Sequence, residues 1–280
     1  MDDKSIFKQG STTYYWSAKF FPKTVRDDVF KLYSFVRVVD DYVDSTEPDM
    51  KSFMYIVEKW AVLKKSLAQA EKHHGKTIND RVLRNIAYVV HHHNCDPEWV
   101  DAFLRSMQMD LDKKVYRTLD DTLEYVYGSA EVIGLLMAKV IGLPDESLHY
   151  ARMQGRAMQF INFIRDIEED NALGRIYFPD EDFTRFGIKS LDKSSILNKQ
   201  IEFGKFIQFQ VARYSGWQDE ADKGFKYIPK RSRIAIRTAV DMYNWTAHSI
   251  AEQPMLVFHG KLKPRKSRII QAGILRTING

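Results

Sequence analysis

The chain has 280 residues, of which 44% are hydrophobic and 13% aromatic, and it carries a formal net charge of +5. This composition excludes a disordered chain, and the length is sufficient for one domain with a large buried core. The single cysteine, Cys95, excludes an intrachain disulfide. No apolar run reaches the roughly 18 to 20 residues that a membrane-spanning helix needs.

The first ten residues lack the basic and apolar regions of a secretory signal, so we expect a cytoplasmic protein. The positive net charge is compatible with contact to an anionic membrane surface or a phosphorylated small molecule. Basic residues follow one another near the C-terminus, but no nucleic-acid-binding module accompanies them, so we expect no nucleic acid partner.

Apolar residues recur at spacings of three and four along most of the chain, which predicts an all-α protein. There is neither an internal repeat nor a long flexible linker, so residues 1–280 are expected to form a single domain. Proline and glycine predict the breaks between helices, for example at Pro48, Pro97 and Pro229. The predicted helices span residues 22–44, 50–74, 78–94, 97–110, 120–141, 145–171, 190–225 and 229–252.

The first of these helices ends in a run of acidic residues. Asp40 and Asp44 are four residues apart and share a helix face, with Asp41 beside them and Arg37 one turn earlier. A helix C-terminus carries partial negative charge, which disfavours carboxylates. Such a run is either a solvated acidic face or a site that a cation completes.

The segment 159–179 repeats this arrangement. Asn162, Asp166 and Asp170 recur at i, i+4 and i+8 on one face of the predicted helix, and Gln159 and Arg165 lie beside that row. Two helices that both end in paired aspartates with a nearby arginine are difficult to explain as solvated surface. We therefore favour a shared site over two unrelated acidic faces.

The chemistry of the two rows points to Mg²⁺, with Mn²⁺ as an alternative. Mg²⁺ prefers oxygen ligands and is commonly held by one or two carboxylates together with substrate phosphate oxygens. Two such helices facing each other across a cavity could hold a Mg²⁺–diphosphate cluster, which Arg37 and Arg165 would contact directly. The predicted metal ligands are Asp40, Asp41, Asp44, Asn162, Asp166 and Asp170.

These motifs resemble those of the squalene/phytoene synthase family, and the resemblance covers nearly the whole chain. The family's first aspartate-rich motif is matched by Arg37-x-x-Asp40-Asp41-x-x-Asp44. Its other aspartate-rich motif resembles Gln159-x-x-Asn162-x-x-Arg165-Asp166-x-x-x-Asp170, followed by Gly174-Arg175-Ile176-Tyr177-Phe178-Pro179. The segment from Ser11 to Tyr15 is similar to the N-terminal region with which the family contacts diphosphate. The resemblance implies a class I isoprenoid synthase helical bundle around a central cavity.

The resemblance also implies the reaction, a head-to-head condensation of two prenyl diphosphates through a cyclopropylcarbinyl diphosphate. We favour phytoene formed from two geranylgeranyl diphosphates. The alternatives are dehydrosqualene, or squalene with hydride from NADPH, both from farnesyl diphosphate. The implied substrate-binding residues are Ser11, Tyr14, Arg37, Gln159, Asn162, Arg165, Arg175 and Tyr177, and the implied catalytic residues are Asp40, Asp44, Asp166, Asp170 and Tyr127.

One segment departs from the family pattern. Where the family commonly has a tyrosine followed by Val-Ala-Gly, this chain has Gly128 at the tyrosine position and Glu131 at the glycine position. Tyr127 either supplies a neighbouring hydroxyl or packs within the helix bundle. Glu131 is either an added polar group in the cavity or a residue that packs or pairs within the helix bundle.

Other functions remain as alternatives. Glu71-x-x-His74 and Glu146-x-x-His149 have the spacing of di-iron ligands, but each lies beside a helix breaker. The run His91-His92-His93 is expected to be surface, because consecutive residues point around a helix. The same fold could also serve a terpene cyclase-like reaction on one diphosphate, or a non-catalytic assembly or binding protein. Peripheral membrane contact is expected because both substrate and product are lipids.

Overall fold

The computed structural model describes residues 3–10, 12–72, 75–113, 115–260 and 262–279, and within these ranges it contains helices and no strands. The α-helices are α1 Asp3–Gly10, α2 Thr12–Ala18, α3 Lys23–Val43, α4 Met50–Leu63, α5 Leu67–Ala70, α6 Ile78–His92, α7 Pro97–Asp112, α8 Leu119–Val126, α9 Val132–Ile141, α10 Leu148–Arg165, α11 Ile167–Ala172, α12 Asp180–Phe186, α13 Lys193–Ile196, α14 Gln200–Asp222, α15 Lys230–Glu252 and α16 Lys266–Asn279. A π-helix, Tyr127–Glu131, joins α8 to α9, and short 3₁₀ helices span Asp145–Ser147, Lys223–Tyr227 and Pro254–Phe258. The expectation of an all-α fold is confirmed.

Local capping explains where several helices begin. Thr77 and Thr118 each form a reciprocal capping box with an aspartate three residues later, which satisfies backbone N–H groups at the starts of α6 and α8. At the start of α7, the Asp96 side chain accepts a hydrogen bond from the N–H of Glu98, and Pro97 occupies the first helical position. These starts lie within a few residues of the boundaries that the sequence predicts.

Other predicted boundaries are wrong. The expected helix 145–171 is divided at Asp166, whose backbone angles, φ −100° and ψ 17°, lie outside the helical range between α10 and α11. The expected helix 50–74 ends at Leu63, and α5 follows as a separate turn. The predicted helices did not include α1, α2, α12 or α16.

The helices enclose a cavity between two hydrophobic cores. One core contains Phe53, Trp60 and Phe103, at the α3, α4 and α7 side of the molecule. The other contains Phe160 and Phe206, on α10 and α14. The cavity is lined by residues of α1, α2, α3, α9, α10 and α15, together with the π-helix and the end of α14. None of the described helices combines the length and the apolar character needed to span a bilayer.

Candidate active site

The two aspartate rows meet at one end of this helical bundle. Nη1 of Arg175 lies 2.9 Å from Oδ1 of Asp44, and Nη2 of Arg175 donates to the carbonyl oxygen of Val43 at 2.5 Å. Because Arg175 follows α11, these contacts hold the end of the second row against the end of α3. The residues of the two motifs therefore lie together in the structure.

The two arginines beside the rows pair with aspartates of their own motifs. Arg37 lies 3.2 Å from Asp40 and also forms an ion pair with Asp41. Arg165 makes a bidentate contact with Asp166, with N–O distances of 2.7 and 2.5 Å. Both guanidinium groups are thus beside the aspartates, and their predicted contact with diphosphate stays a prediction.

Burial and mutual repulsion raise the pKa of carboxyl groups in this cluster. Burial, together with repulsion from Asp44 and other nearby acids, raises the pKa of Asp40 to about 7, although Arg37 opposes the shift. Burial and the charges of Asp166 and Asp44 raise the pKa of Asp170 well above its ordinary value. The fold therefore collects negative charge here at an energetic cost, which a bound cation would offset.

The chemistry of the donors fits a divalent cation. The cluster contains six carboxylates, of Asp40, Asp41, Asp44, Asp110, Asp166 and Asp170, against the three guanidinium groups of Arg37, Arg165 and Arg175. Oδ1 of Asn162 is buried and accepts no hydrogen bond from any residue that the structure describes. Hard oxygen ligands with excess negative charge suit Mg²⁺.

The carboxylates do not form a closed cage. Among the described residues, the only three such ligand groups within 4.8 Å of one another are those of Glu71, His91 and His92, away from this cluster. A complete protein cage is not needed for Mg²⁺, because it usually retains waters and is completed by substrate phosphate oxygens. The arrangement therefore suits a metal that binds together with a diphosphate.

Asp110 belongs to the site, although the motifs did not identify it. It lies on α7, is buried, and accepts hydrogen bonds from the hydroxyl groups of Tyr125 at 2.8 Å and Tyr177 at 2.7 Å. Burial raises its pKa to about 6, while Arg175 and the two tyrosines oppose the shift. The sequence signal was weak, because no carboxylate lies four residues before or after Asp110.

The cavity begins beside the second row and is mainly apolar. Tyr14, Gln159 and Asn162 line its end nearest the aspartates. The hydroxyl of Tyr14 donates to the sulfur of Met158 at 3.3 Å, and burial raises its pKa well above the ordinary tyrosine value. Tyr33 also lines the cavity and was not among the predicted site residues. The polar end of this mainly apolar cavity therefore lies beside the second aspartate row.

The segment that departs from the family pattern packs within the bundle. Glu131 is fully buried and contacts Arg152 at 2.9 Å and Arg156 at 2.6 Å. A Cβ atom at Gly128 would lie 2.2 Å from the carbonyl oxygen of Ala102, so this position admits only glycine unless α7 moves. Of the two interpretations of Glu131, the structure favours pairing within the bundle.

Tyr127 is placed differently from the other predicted catalytic residues. It is not among the described residues that line the cavity, and its ring lies 5.4 Å from the guanidinium carbon of Arg152. The structure thus gives no geometric support for a catalytic hydroxyl at this position. Ser11, a predicted substrate-binding residue, lies outside the described residues.

The alternative metal motifs do not form a bundle-core site in the part of the chain that the structure describes. His74 of the first Glu-x-x-His motif lies outside that part, whereas Glu146 and His149 of the second are exposed. His91 and His92 are exposed beside Glu71, while His93 contacts Asp28 at 3.0 Å. The expectation of a surface histidine run is confirmed for His91 and His92.

Comparison with known proteins identifies the family. The family model for squalene/phytoene synthase matches residues 7–268. The chain belongs to the squalene/phytoene synthase family. It is 27% identical over 237 residues to the 15-cis-phytoene synthase of Pantoea ananas, covering 84% of this chain and 76% of that protein. It is 28% identical over 183 residues to the presqualene diphosphate synthase of Rhodopseudomonas palustris, covering 65% of this chain and 63% of that protein.

Solved structures give the same assignment. A dehydrosqualene synthase in complex with a ligand superposes with a TM-score of 0.79 at 26% identity, covering 99% of this chain and 94% of that one. The squalene synthase HpnC from Alicyclobacillus acidocaldarius has the same fold, with a TM-score of 0.74 at 23% identity and coverage of 90% and 92%. The isoprenoid synthase fold is therefore confirmed. As a family member, the chain is a prenyltransferase-type synthase that joins prenyl diphosphates head to head.

Proposed function

We propose that this squalene/phytoene synthase family member is a Mg²⁺-dependent phytoene synthase that condenses two molecules of geranylgeranyl diphosphate. The proposal rests on one observation. Two aspartate rows, joined by the contact between Arg175 and Asp44, lie at the mouth of a mainly apolar cavity. Relatives named phytoene synthase support the choice of product. The same site is expected to accept Mn²⁺, because the donors are hard oxygens.

In the proposed reaction, the aspartate rows and Arg37 and Arg165 hold the diphosphate of the first substrate. Bound Mg²⁺ would supply charge stabilisation for the departing diphosphate. Asp110, held by two tyrosine hydroxyls, adds a buried carboxylate to the cluster. The preorganised charges thus favour the state in which negative charge develops on the leaving group.

The carbon chemistry takes place in the cavity. Loss of diphosphate leaves an allylic cation, and the double bond of the second substrate attacks it; loss of a proton then closes a cyclopropylcarbinyl diphosphate. Loss of the second diphosphate, rearrangement of the ring and a final proton loss give phytoene. The apolar wall excludes water, which would otherwise trap the cations. NADPH would be needed only if the reaction ended by hydride transfer to give squalene.

Peripheral membrane contact is part of the proposal, because substrate and product are lipids. Helix α16 supports it: Ile274, Leu275 and Ile278 are exposed, and the helix contains no acidic residue. Basic residues adjoin these apolar side chains, as expected of a helix that lies on an anionic surface. Flotation with vesicles that contain anionic lipid, compared with neutral vesicles, tests this contact. Equal recovery of the protein with both kinds of vesicle would contradict an electrostatic contribution to membrane binding.

The activity is tested by incubating purified protein with farnesyl or geranylgeranyl diphosphate, each with Mg²⁺, with and without NADPH. A C40 hydrocarbon from geranylgeranyl diphosphate, formed without NADPH and abolished by EDTA, is the expected product by mass spectrometry. A C30 hydrocarbon instead would favour the farnesyl alternatives, and a product with the carbon number of its substrate would favour a cyclase. No turnover by a folded protein would favour a binding function.

A further inference from the structure

The cavity follows one face of α10 for most of the length of that helix. Lining residues run from Asn162 at the mouth through Met158, Gln154 and Ala151 to Ser147, just before the helix begins. Fifteen residues separate Asn162 from Ser147, which corresponds to about 22 Å at the rise of an α-helix. The cavity is therefore a deep channel that leads away from the aspartate rows.

Large apolar side chains line the far end of the channel. Leu143, in the turn after α9, lines it together with Phe225 and Ile228, which follow α14. Tyr150 lines the same region and stacks with Tyr227. These residues surround the end of the channel that lies farthest from the aspartate rows.

Contacts between neighbouring helices fix the depth of Ala221. Gln154 and Gln218 exchange hydrogen bonds of 2.8 and 3.2 Å between α10 and α14. Further along, Gly224 packs against the Cβ atom of Tyr150. Ala221 lies midway between Gln218 and Gly224 along the chain and also lines the cavity. It therefore lies at about the depth of Ala151.

Prenyl chain length can be compared with these depths. An extended chain advances about 1.2 Å per backbone bond, so the roughly 12 main-chain carbons of a farnesyl group span about 14 Å and the 16 of a geranylgeranyl group about 19 Å. Ala151 lies eleven residues from Asn162, or about 16 Å along α10. A farnesyl chain that starts near Asn162 ends before Ala151, whereas a geranylgeranyl chain must pass it.

We propose that Ala151 and Ala221 are specificity-determining residues that admit the terminal isoprene unit of a 20-carbon substrate. Their methyl groups leave the channel open at the depth where the two chain lengths differ. The backbone at Ala151 packs so closely against Gly134 that a Cβ atom there would lie only 2.2 Å from the Ala151 carbonyl oxygen. It therefore cannot move away from the channel. A larger side chain at position 151 must therefore extend into the channel. This inference rests on the proposed prenyl diphosphate condensation.

The test compares Ala151→Leu and Ala221→Leu with the unchanged enzyme, measuring kcat/KM for geranylgeranyl and farnesyl diphosphate and the carbon number of each product. Each variant should lose tenfold or more in kcat/KM for the 20-carbon substrate. One extra methylene in a hydrophobic pocket typically changes kcat/KM by about 10- to 200-fold. Turnover of farnesyl diphosphate should persist. Ala212→Leu, on the exposed face of α14, is the matched control and should change neither value.

The outcomes separate the inference from the proposed function. An unchanged enzyme that turns over neither diphosphate overturns the proposed function. An unchanged enzyme that uses only farnesyl diphosphate overturns both the inference and the choice of geranylgeranyl diphosphate in the proposed function, while head-to-head condensation stands. Leucine variants that retain full turnover of geranylgeranyl diphosphate overturn the inference alone. Thermal denaturation checks that each variant is folded, and Ala151→Val provides a smaller obstruction with the same expected direction if Ala151→Leu does not fold.

Discussion

The guanidinium group of Arg175 lies 2.9 Å from the carboxylate of Asp44, across 131 positions of sequence. Arg175 also donates to the carbonyl oxygen of Val43, so it satisfies the backbone at the end of α3 while neutralising part of the charge there. Its side chain is almost fully buried, whereas Asp44 is 40% exposed. Arg175 thus positions the first aspartate row and leaves Asp44 accessible.

Replacement of Arg175 by alanine should therefore disorder the first row relative to the second. We expect activity to fall about 10- to 100-fold, the usual loss when a residue that orients metal ligands is removed. The apparent Mg²⁺ affinity, from activity against metal concentration, should fall in parallel. Arg105→Ala removes an exposed arginine and is the control. Unchanged Mg²⁺ dependence in Arg175→Ala would contradict a positioning role.

Sequence patterns located both aspartate rows because helical spacing places i and i+4 on one face whatever the tertiary structure. The capped starts of α6, α7 and α8 were likewise predictable within a few residues, since proline and capping residues act locally. The break at Asp166 was not predicted, because apolar residues continue on both sides of it, as at Ile164 and Ile167.

Residues that join the site through tertiary contacts could not be found from spacing. Asp110 has no paired carboxylate at i+4 to mark it, and its importance comes from burial and from hydroxyl donors 15 and 67 residues away. The sequence also could not decide the surroundings of Glu131. A helix allows its side chain either to pair with Arg152 or to face the cavity. Only the packing of α10 against the π-helix distinguishes these alternatives.

Replacement of Asp40 by asparagine should abolish most activity while leaving the protein folded. Asp40 is part of the first row, so we expect a loss of orders of magnitude in kcat with the stability in EDTA unchanged or raised. Asp120→Asn, which removes an exposed aspartate from the first turn of α8, is the control and should retain activity. A large fall in the melting temperature of Asp40→Asn would instead identify a structural role.

The stability of the metal-free protein should depend on pH through the same residue. The pKa of Asp40 is about 7 in the folded protein and lower when unfolded, so the folded state retains a proton that the unfolded state has lost. The free energy of unfolding contributed by this group therefore falls as pH rises from about 4 to 7. The stabilising effect of Asp40→Asn should accordingly be greater at pH 8 than at pH 5.

Mg²⁺ should reverse this trend, because it binds the deprotonated carboxylate. In thermal melts of the unchanged protein, the increase in Tm caused by Mg²⁺ should be larger at pH 8 than at pH 6. The comparison with EDTA at each pH removes effects that do not involve the metal. An increase that is the same at both pH values would contradict coupling between metal binding and titration of the cluster.

Two neighbouring tyrosines offer a matched test of the support for Asp110. Tyr177→Phe removes one of the two donors to a buried carboxylate and should lower the free energy of unfolding by about 1 to 3 kcal/mol. Tyr116→Phe removes a buried hydroxyl for which the described part of the chain provides no hydrogen-bond partner, so this change should be neutral or stabilising. Chemical denaturation of both variants measures the difference. Equal effects would mean that the hydrogen bond to Asp110 contributes little.

Glu131 tests whether the departure from the family pattern affects folding or catalysis. Its carboxylate is fully buried between Arg152 and Arg156, so Glu131→Ala leaves two guanidinium groups without their partner and should reduce the free energy of unfolding by about 3 kcal/mol. Activity per folded molecule should be retained, since Glu131 is not among the described residues that line the cavity.

Glu124→Gln, at an exposed position, is the control for the loss of a negative charge, and its stability should change by less than about 0.5 kcal/mol. Denaturation and kcat are to be measured on the same preparations of both variants. A Glu131→Ala protein that keeps its stability but loses kcat would assign the carboxylate to the reaction. We expect lost stability with retained activity, because the buried Glu131 carboxylate is held by two arginines and has little freedom to approach a substrate.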